Sequence, residues 1–305
     1  MPGTPEDYLE EALSEYNDKV NALESEGDSE ELLEAYVNRG CILSMMEHFT
    51  SALEDLETAS KMESRIGADD GTFVKMNSEL GKLYSHFGID PQVLYADVAA
   101  RLQWIGATSR HFDLKGVVSM CLDSAEILLE FGHPSDSHPF LEKALETTQA
   151  KMDPWMKNRR VEALNLMGEA YDAEEESEMA EKCYAEAVEV GMDLMKSEKL
   201  EDLEILAATF LSKAECDLDL GMMDRFVEDS DKAVLIIEKM HENGILDDMT
   251  EASDICHNVA VEFIKQGKVD EAEKYLIKAV KLSLKGAQDY IDKSAIDQID
   301  SNGHN

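Results

Sequence analysis

Apolar residues recur along this chain at the spacing of one face of an α-helix. Leu164, Met167, Gly168 and Tyr171 lie at positions i, i+3, i+4 and i+7, and a second set with helical spacing begins at Ala180. A polar segment separates the two sets. This pattern predicts two antiparallel helices joined by a short connection, which is a helical hairpin.

The hairpin pattern returns six times. In each unit a small residue is followed 7 positions later by a turn residue and 19 positions later by alanine. The small residues are Gly40, Gly81, Ala125, Gly168, Ala214 and Ala260. The turn residues are Glu47, Gly88, Gly132, Glu175, Gly221 and Gly267, and the alanines are Ala59, Ala100, Ala144, Ala187, Ala233 and Ala279. A pattern repeated along the whole chain predicts stacked units and not one closed core.

We therefore predict an all-α solenoid of about six antiparallel helical hairpins behind a capping helix. The capping helix takes residues 1–27, and a polar C-terminal tail takes residues 292–305. Between them, residues 28–291 form the repeat domain, with hairpins near 28–66, 71–109, 113–152, 153–196, 198–242 and 248–291.

The small residues explain how the two helices of a hairpin approach each other. Helices pack at about 8–10 Å only where the crossing point lacks bulky side chains. Gly168 and Ala180 are predicted to lie at such a crossing, and Tyr171 and Tyr184 to fill the space beside it.

The net charge changes the expected partner. The chain carries 66 acidic and 28 basic residues, for a formal charge of −38. This field repels phosphate backbones and anionic membranes, so we expect no nucleic-acid or membrane binding. It favours a basic partner. The alternative is that the charge serves only to keep the protein in solution.

The cysteines indicate a reducing compartment. The five residues are scattered, odd in number and inside helical patterns, where a free thiol behaves as a small hydrophobe. Residues 1–10 show no secretory signal, and the longest apolar run, residues 233–237, is far too short to cross a membrane. We therefore expect a cytoplasmic protein.

Three units carry a recognisable family pattern. It is found in the segment 35–43 with Ala52, Leu56 and Ala59, and in the segment 164–171 with Ala180, Tyr184 and Ala187. The sixth unit shows it at Ala260, Phe263, Gly267, Ala272, Leu276 and Ala279. These units resemble tetratricopeptide repeats, whereas the second, third and fifth are degenerate. In the fifth, Asp217 and Ser230 replace large apolar residues.

The repeat spacing departs from the family's usual length. Successive small residues are 41 to 46 positions apart, against about 34 in the family. The chain is thus similar to long-helix variants such as kinesin light chain. The resemblance implies a right-handed superhelix whose first helices line a concave groove, and it implies that the groove binds a peptide or protein.

Carboxylates dominate the predicted groove face. The residues on that face are Asp123, Glu126 and Glu130 in the third unit, Glu162, Asn165, Glu169 and Asp172 in the fourth, and Glu215 and Asp219 in the fifth. They could hold a Lys- or Arg-rich segment by charge-assisted hydrogen bonds. The alternative is an ordinary solvated acidic face. Lys75 and Lys82 interrupt the trend in the second unit.

Catalytic and metal-binding patterns are absent from the sequence. It has no G-x-S-x-G, no P-loop and no H-E-x-x-H, and its histidines and cysteines do not form a zinc-ligand spacing. We expect no enzyme activity, no cofactor and no metal.

The sequence favours an adaptor that binds a protein segment in its groove. Two alternatives remain open. The protein could be a peptide-sensing regulator of a partner chain, or it could assemble with itself through Val280, Leu282 and Leu284, although Leu284 suits the local core better. The sequence leaves the oligomeric state undetermined.

Overall fold

The computed structural model describes residues 4–102, 104–105, 113–149 and 153–302, with side chains up to residue 287. Every regular element in these ranges is helical, and the prediction of an all-α fold built from helical hairpins is confirmed. None of the helices described combines the length and the apolar character needed to cross a bilayer.

Thirteen α-helices occupy the described ranges. They are α1 Pro5–Leu23, α2 Glu30–Met45, α3 Phe49–Ile66, α4 Asp70–Phe87, α5 Gln92–Leu102, α6 Leu114–Glu130, α7 Pro134–Gln149, α8 Pro154–Ala173, α9 Ser177–Lys196, α10 Leu203–Asp219, α11 Met223–Glu242, α12 Thr250–Lys265 and α13 Val269–Asn302. A short 3-10 helix, Glu24–Glu26, follows α1. Helix α13 continues to Asn302, so residues 292–302, which the sequence analysis assigned to a polar tail, are helical.

The chain divides into two compact units, Met1–Met152 and Asp153–Asn305. The first contains α1 and the hairpins α2–α3, α4–α5 and α6–α7, and the second contains α8–α9, α10–α11 and α12–α13. The sequence analysis treated residues 28–291 as one repeat domain and gave no sign of this boundary.

Each hairpin turns through one residue in the left-handed conformation. All six predicted turn residues have positive φ, from 61° at Glu47 to 77° at Gly132. Four of them are glycine, which adopts this conformation without steric cost. Glu47 and Glu175 adopt it despite their side chains, so the geometry of the turn prevails over residue preference.

Helices of one hairpin touch where the small residue lies. A Cβ atom at Gly168 would fall among the ring carbons of Tyr184, and one at Gly40 would come within 2.7 Å of Leu56 Cγ. Close approach at Gly168 is therefore confirmed. Ala180 is buried nearby, but the side chain that directly fills the gap is Tyr184, which we expected only beside the crossing.

The second hairpin departs from the repeat pattern. Its connection has four residues, whereas the other five have three. The residue that meets Gly81 is consequently Tyr95, 14 positions later, whereas Tyr184 lies 16 positions after Gly168. The alanine predicted at position 19, Ala100, is exposed, so this part of the predicted pattern is wrong.

A buried lysine explains why the fifth repeat looked degenerate. Lys213 Nζ lies 2.7 Å from Asp217 Oδ2, 2.8 Å from Asp229 Oδ2 and 3.4 Å from Glu181 Oε1. Asp217 thus occupies a slot that holds a large apolar residue elsewhere because a lysine one turn earlier neutralises it.

The first hairpin uses the same pair of positions. Arg39 binds both carboxylate oxygens of Asp55 in a fork, at 2.6 and 2.7 Å. Arg39 and Lys213 each precede the small residue of their repeat, and Asp55 and Asp229 each follow that residue by 15 positions. An ion pair between the two helices is therefore an alternative to apolar packing at this level of the hairpin.

Replacement of Gly168 by alanine should lower the free energy of unfolding by about 1–3 kcal/mol, because the added methyl group collides with the ring of Tyr184. Urea denaturation measures this loss. The Gly168→Ala, Tyr184→Leu double variant should lose less free energy of unfolding than the two single variants lose together, since the smaller side chain leaves room for the methyl group. Strict additivity would contradict the contact.

Replacement of Lys213 by methionine should cost about 3–5 kcal/mol, because the buried Asp217 and Asp229 then keep only the more exposed cations Arg225 and Lys232. Lys232→Met is the matched control, since Lys232 also reaches Asp229 but is 39% exposed in its side chain. Its loss should stay below about 1 kcal/mol. Equal losses in the two variants, measured by urea denaturation, would show that Lys213 stabilises no more than an exposed lysine.

Candidate functional site

In the first unit a cavity opens along the first helices of its three hairpins. Its volume is about 410 Å³, and residues of α2, α4 and α6 line it. Lys75 and Lys82 stand at this cavity together with Glu79 and Asp123, so its wall mixes both signs of charge.

The three predicted site residues of the third repeat all lie on α6. Asp123 forms an ion pair with Lys82 at 2.8 Å, so the lysine that interrupted the acidic trend neutralises one of its members. Glu130 accepts a hydrogen bond of 3.4 Å from Ser85. Glu126 is exposed. The protein around it still removes part of its hydration, and this effect, followed by the charges of Glu130 and Asp123, raises its pKa.

In the second unit, α8 carries four of the predicted residues, and all four have partners within this unit. Glu162 forms an ion pair with Arg159 on its own helix at 2.8 Å. Asn165 donates a hydrogen bond of 2.6 Å to Glu169 and accepts one of 2.9 Å from Thr209 on α10. These side chains therefore stabilise α8 and its contact with α10, and their charges are already paired or hydrogen-bonded.

The fourth residue, Asp172, belongs to a concentrated carboxylate cluster. Glu215 and Asp219 lie one turn apart on α10, and the charges of Asp172 and Asp219 contribute to the raised pKa of Glu215. Asp172 accepts a hydrogen bond of 2.9 Å from the hydroxyl of Tyr184 and one of 3.2 Å from the thiol of Cys216. The structure thus brings Asp172, Glu215 and Asp219 together, and these three residues are called the carboxylate cluster below.

Glu215 is exposed, but the protein around it removes part of its hydration, and this partial desolvation is the main cause that raises its pKa; the charges of Asp172 and Asp219 raise it further. A carboxyl group with a raised pKa marks a place where negative charge is unfavourable until a cation arrives. The carboxylate cluster is therefore suited to binding a positively charged group.

A second cavity lies beside the carboxylate cluster. It occupies about 360 Å³ between α10 and α12. Its apolar wall includes Leu211, Leu218, Phe226, Ile255 and Val261, and Glu215 lines it as well. The cavity can thus receive an apolar side chain while a neighbouring basic group meets the carboxylate cluster.

The sequence analysis missed the contribution of α12 to this wall. Glu262 and Lys265 form an ion pair of 2.6 Å at the cavity, and Asn258 lines it. Helical spacing from the small residue Ala260 could have placed all three on the groove side. Among the described residues, no group of three or more His, Cys, Asp or Glu side chains is arranged to hold a metal ion.

The raised pKa of Glu215 predicts a pH-dependent stability. The folded chain keeps the Glu215 proton to a higher pH than the unfolded chain, so this residue lowers the free energy of unfolding as pH rises through that interval. Glu215→Gln should therefore stabilise the protein at pH 7, and its advantage should shrink at about pH 4, near the ordinary pKa of glutamate.

Glu189→Gln, on the exposed face of α9, is the matched control because it removes the same charge elsewhere. Urea denaturation at the two pH values gives the comparison. An equal gain from both variants would mean that only the net charge matters and not the surroundings of Glu215.

Comparison with known proteins agrees with this architecture. A family model described as tetratricopeptide repeat matches residues 161–190 and 253–285, which lie in α8–α9 and α12–α13. A search of the curated proteins finds no match.

Two solved structures show the same fold. BtubC (BKLC) from P. vanneervenii is 16% identical, with 92% of this chain and 91% of that chain covered and a TM-score of 0.53. A Signal Transduction ATPase with Numerous Domains (STAND) protein with a tetratricopeptide repeat sensor, from Pyrococcus horikoshii, is 16% identical, with 87% of this chain and 38% of that chain covered and a TM-score of 0.50. Two of the six hairpins therefore match the tetratricopeptide-repeat model, and the described residues share the helical-hairpin fold of these solved structures.

Proposed function

We propose that this protein is a non-enzymatic adaptor that binds a basic segment of a partner protein along the first helices of its second unit. The observation that carries the proposal is the carboxylate cluster of Asp172, Glu215 and Asp219 beside the apolar cavity between α10 and α12. An extended segment with a Lys or Arg next to a large apolar residue fits both features.

Two energetic contributions support this binding mode. Lysine or arginine donors form charge-assisted hydrogen bonds with carboxylates, which are stronger than neutral ones. Burial of an apolar side chain in the cavity adds a contribution that depends little on salt. The net charge of −38 adds a third effect, since it steers a basic partner towards the protein and speeds association at low ionic strength.

A regulatory sensor is the second candidate. The solved structure from Pyrococcus horikoshii is described as having a tetratricopeptide repeat sensor, and its repeats share this fold. In that case the carboxylate cluster and the neighbouring cavity would bind a peptide, and the peptide-bound protein would act on another protein. The five unpaired cysteines, four of them buried, support a reducing compartment such as the cytoplasm for either function.

The adaptor proposal predicts a charge-selective interaction. Fluorescence anisotropy with a labelled peptide of alternating lysine and leucine should show saturable binding, and a peptide of alternating glutamate and leucine should bind at least 10-fold more weakly, which is about 1.4 kcal/mol. The affinity for the lysine peptide should fall as NaCl rises from about 50 to 300 mM, because salt screens exposed charges.

Variants locate the binding site. The double variant Glu215→Lys, Asp219→Lys should bind the lysine peptide at least 10-fold more weakly, a loss of about 1.4 kcal/mol in binding free energy. Glu189→Lys with Asp193→Lys makes the same change in net charge on exposed positions of α9 and should weaken the binding about twofold or less. Equal weakening by both pairs would reduce the interaction to general attraction by an acidic protein and would overturn the proposed site.

A further inference from the structure

Helix α13 carries an exposed apolar stripe in addition to its buried face. The stripe consists of Val269, Leu276, Ile277, Val280 and Leu284, which are between 36% and 66% exposed. Leu276, Val280 and Leu284 are spaced by four residues and share one side of the helix. The buried side borders the stripe and includes Ala272, Ala279 and Leu282. Soluble proteins seldom leave so many large apolar side chains exposed on one helix, so the stripe indicates a binding surface.

The repeat itself shows what kind of structure covers this surface. The residue of α11 that corresponds to Val280 is Val234, 46 positions earlier, and it is 1% exposed, against 59% for Val280. Val234 belongs to a buried cluster with Ala252 and Ile255 of α12. In the second hairpin of this unit, the position is therefore covered by the helix that follows.

The first hairpin of the second unit repeats the arrangement. Gly191 of α9 corresponds to Ser283 of α13 when two 46-residue steps are counted, and a Cβ at Gly191 would come within 2.8 Å of Leu206 on α10. Val188 of α9, which corresponds to Val280, is half-buried and packs against the cluster that contains Leu206 of α10. On both α9 and α11 the equivalent surface is thus occupied by a helix.

Charge defines the chemistry of the helix that this surface would bind. Lys274, Lys281 and Lys285 are exposed along one border of the stripe in a protein whose surface is otherwise strongly acidic. Lys285 lies 3.7 Å from Glu242. Asp270 and Glu273 are near the N-terminal end of the helix, so the positive border belongs to its middle and C-terminal part.

We propose that the α13 stripe binds an amphipathic helix of a partner protein, with its apolar side on Leu276, Val280 and Leu284 and its carboxylates along the lysine border. This is the helix-in-groove mode of recognition. It uses a surface separate from the carboxylate cluster and selects a partner of opposite charge to the one that the cluster selects.

A second copy of this chain fits the surface less well. Its acidic helix α1 packs Leu13 and Tyr16 against its own hairpin, and two chains of net charge −38 repel each other. The structure also corrects the surface suggested for self-assembly. Leu282 is 5% exposed and belongs to the core, whereas Leu284, which we expected in the local core, is 65% exposed.

The test uses the full chain and a labelled designed peptide that forms an amphipathic helix of about five turns, with leucine at helical spacing and glutamate on both borders. Fluorescence anisotropy should show saturable binding by the wild-type chain. A scrambled peptide of the same composition and a version with lysine in place of glutamate should each bind at least 10-fold more weakly. Equal binding of all three peptides, or none by the glutamate peptide, would overturn the proposal.

Matched variants assign the interaction to α13. Val280→Asp should weaken the glutamate peptide at least 10-fold, and Leu235→Asp, at a position of α11 that is 62% exposed, should change the affinity less than about twofold. Both variants should keep the wild-type melting temperature, because both side chains are exposed. Glu215→Lys should leave the affinity for this peptide unchanged, which distinguishes binding at α13 from binding at the carboxylate cluster. Equal weakening by Val280→Asp and Leu235→Asp would overturn the site.

Sedimentation of the chain alone tests whether a second copy of the chain occupies the stripe. The proposal expects a sedimentation coefficient that does not rise with protein concentration. A rise that Val280→Asp abolishes would identify a second copy as the occupant and would overturn the assignment to a partner helix.

Discussion

Within a hairpin, the first helix can lie against the second only where one side chain is nearly absent. Gly40, Gly81 and Gly168 provide such positions, and a large side chain of the partner helix, Leu56, Tyr95 or Tyr184, fills each of them directly. This contact sets the distance between the helices, and the left-handed turn between them sets their relative direction. The carboxylate cluster and the α13 residues Val280 and Leu284 lie on faces that remain outside this contact.

The sequence predicted the helices, the hairpins and the turn residues because these depend on spacing, which is directly visible in a repeated pattern. Ala100 was misplaced because one extra residue in the preceding connection changes which side of α5 faces inward. The carboxylates were predicted as one acidic face. Which of them remain available depends on partners distant in sequence, such as Lys82 for Asp123 and Thr209 for Asn165, and spacing within one helix does not reveal these.

The buried ion pairs show a further limit of reading one residue at a time. Asp217 looks like a defect in an apolar slot, yet Lys213 and Asp229 make it part of a network. The pair Arg39 and Asp55 occurs at the same two repeat positions as Lys213 and Asp229. Comparison of repeats at these two positions together, one from each helix, would have revealed the pair, because each charge is acceptable there only with the other present.

The constant connection within each hairpin has a consequence for how such a chain can change in length. Five of the six connections between paired helices have three residues. The connections between successive hairpins that the structure describes in full have three residues after α3, six after α9 and seven after α11. An extra residue inside a hairpin changes which side chain meets the small residue opposite, as Tyr95 does at Gly81 in the second hairpin. Insertions between hairpins leave that contact intact, so the junctions can differ in length while the paired helices keep the same packing.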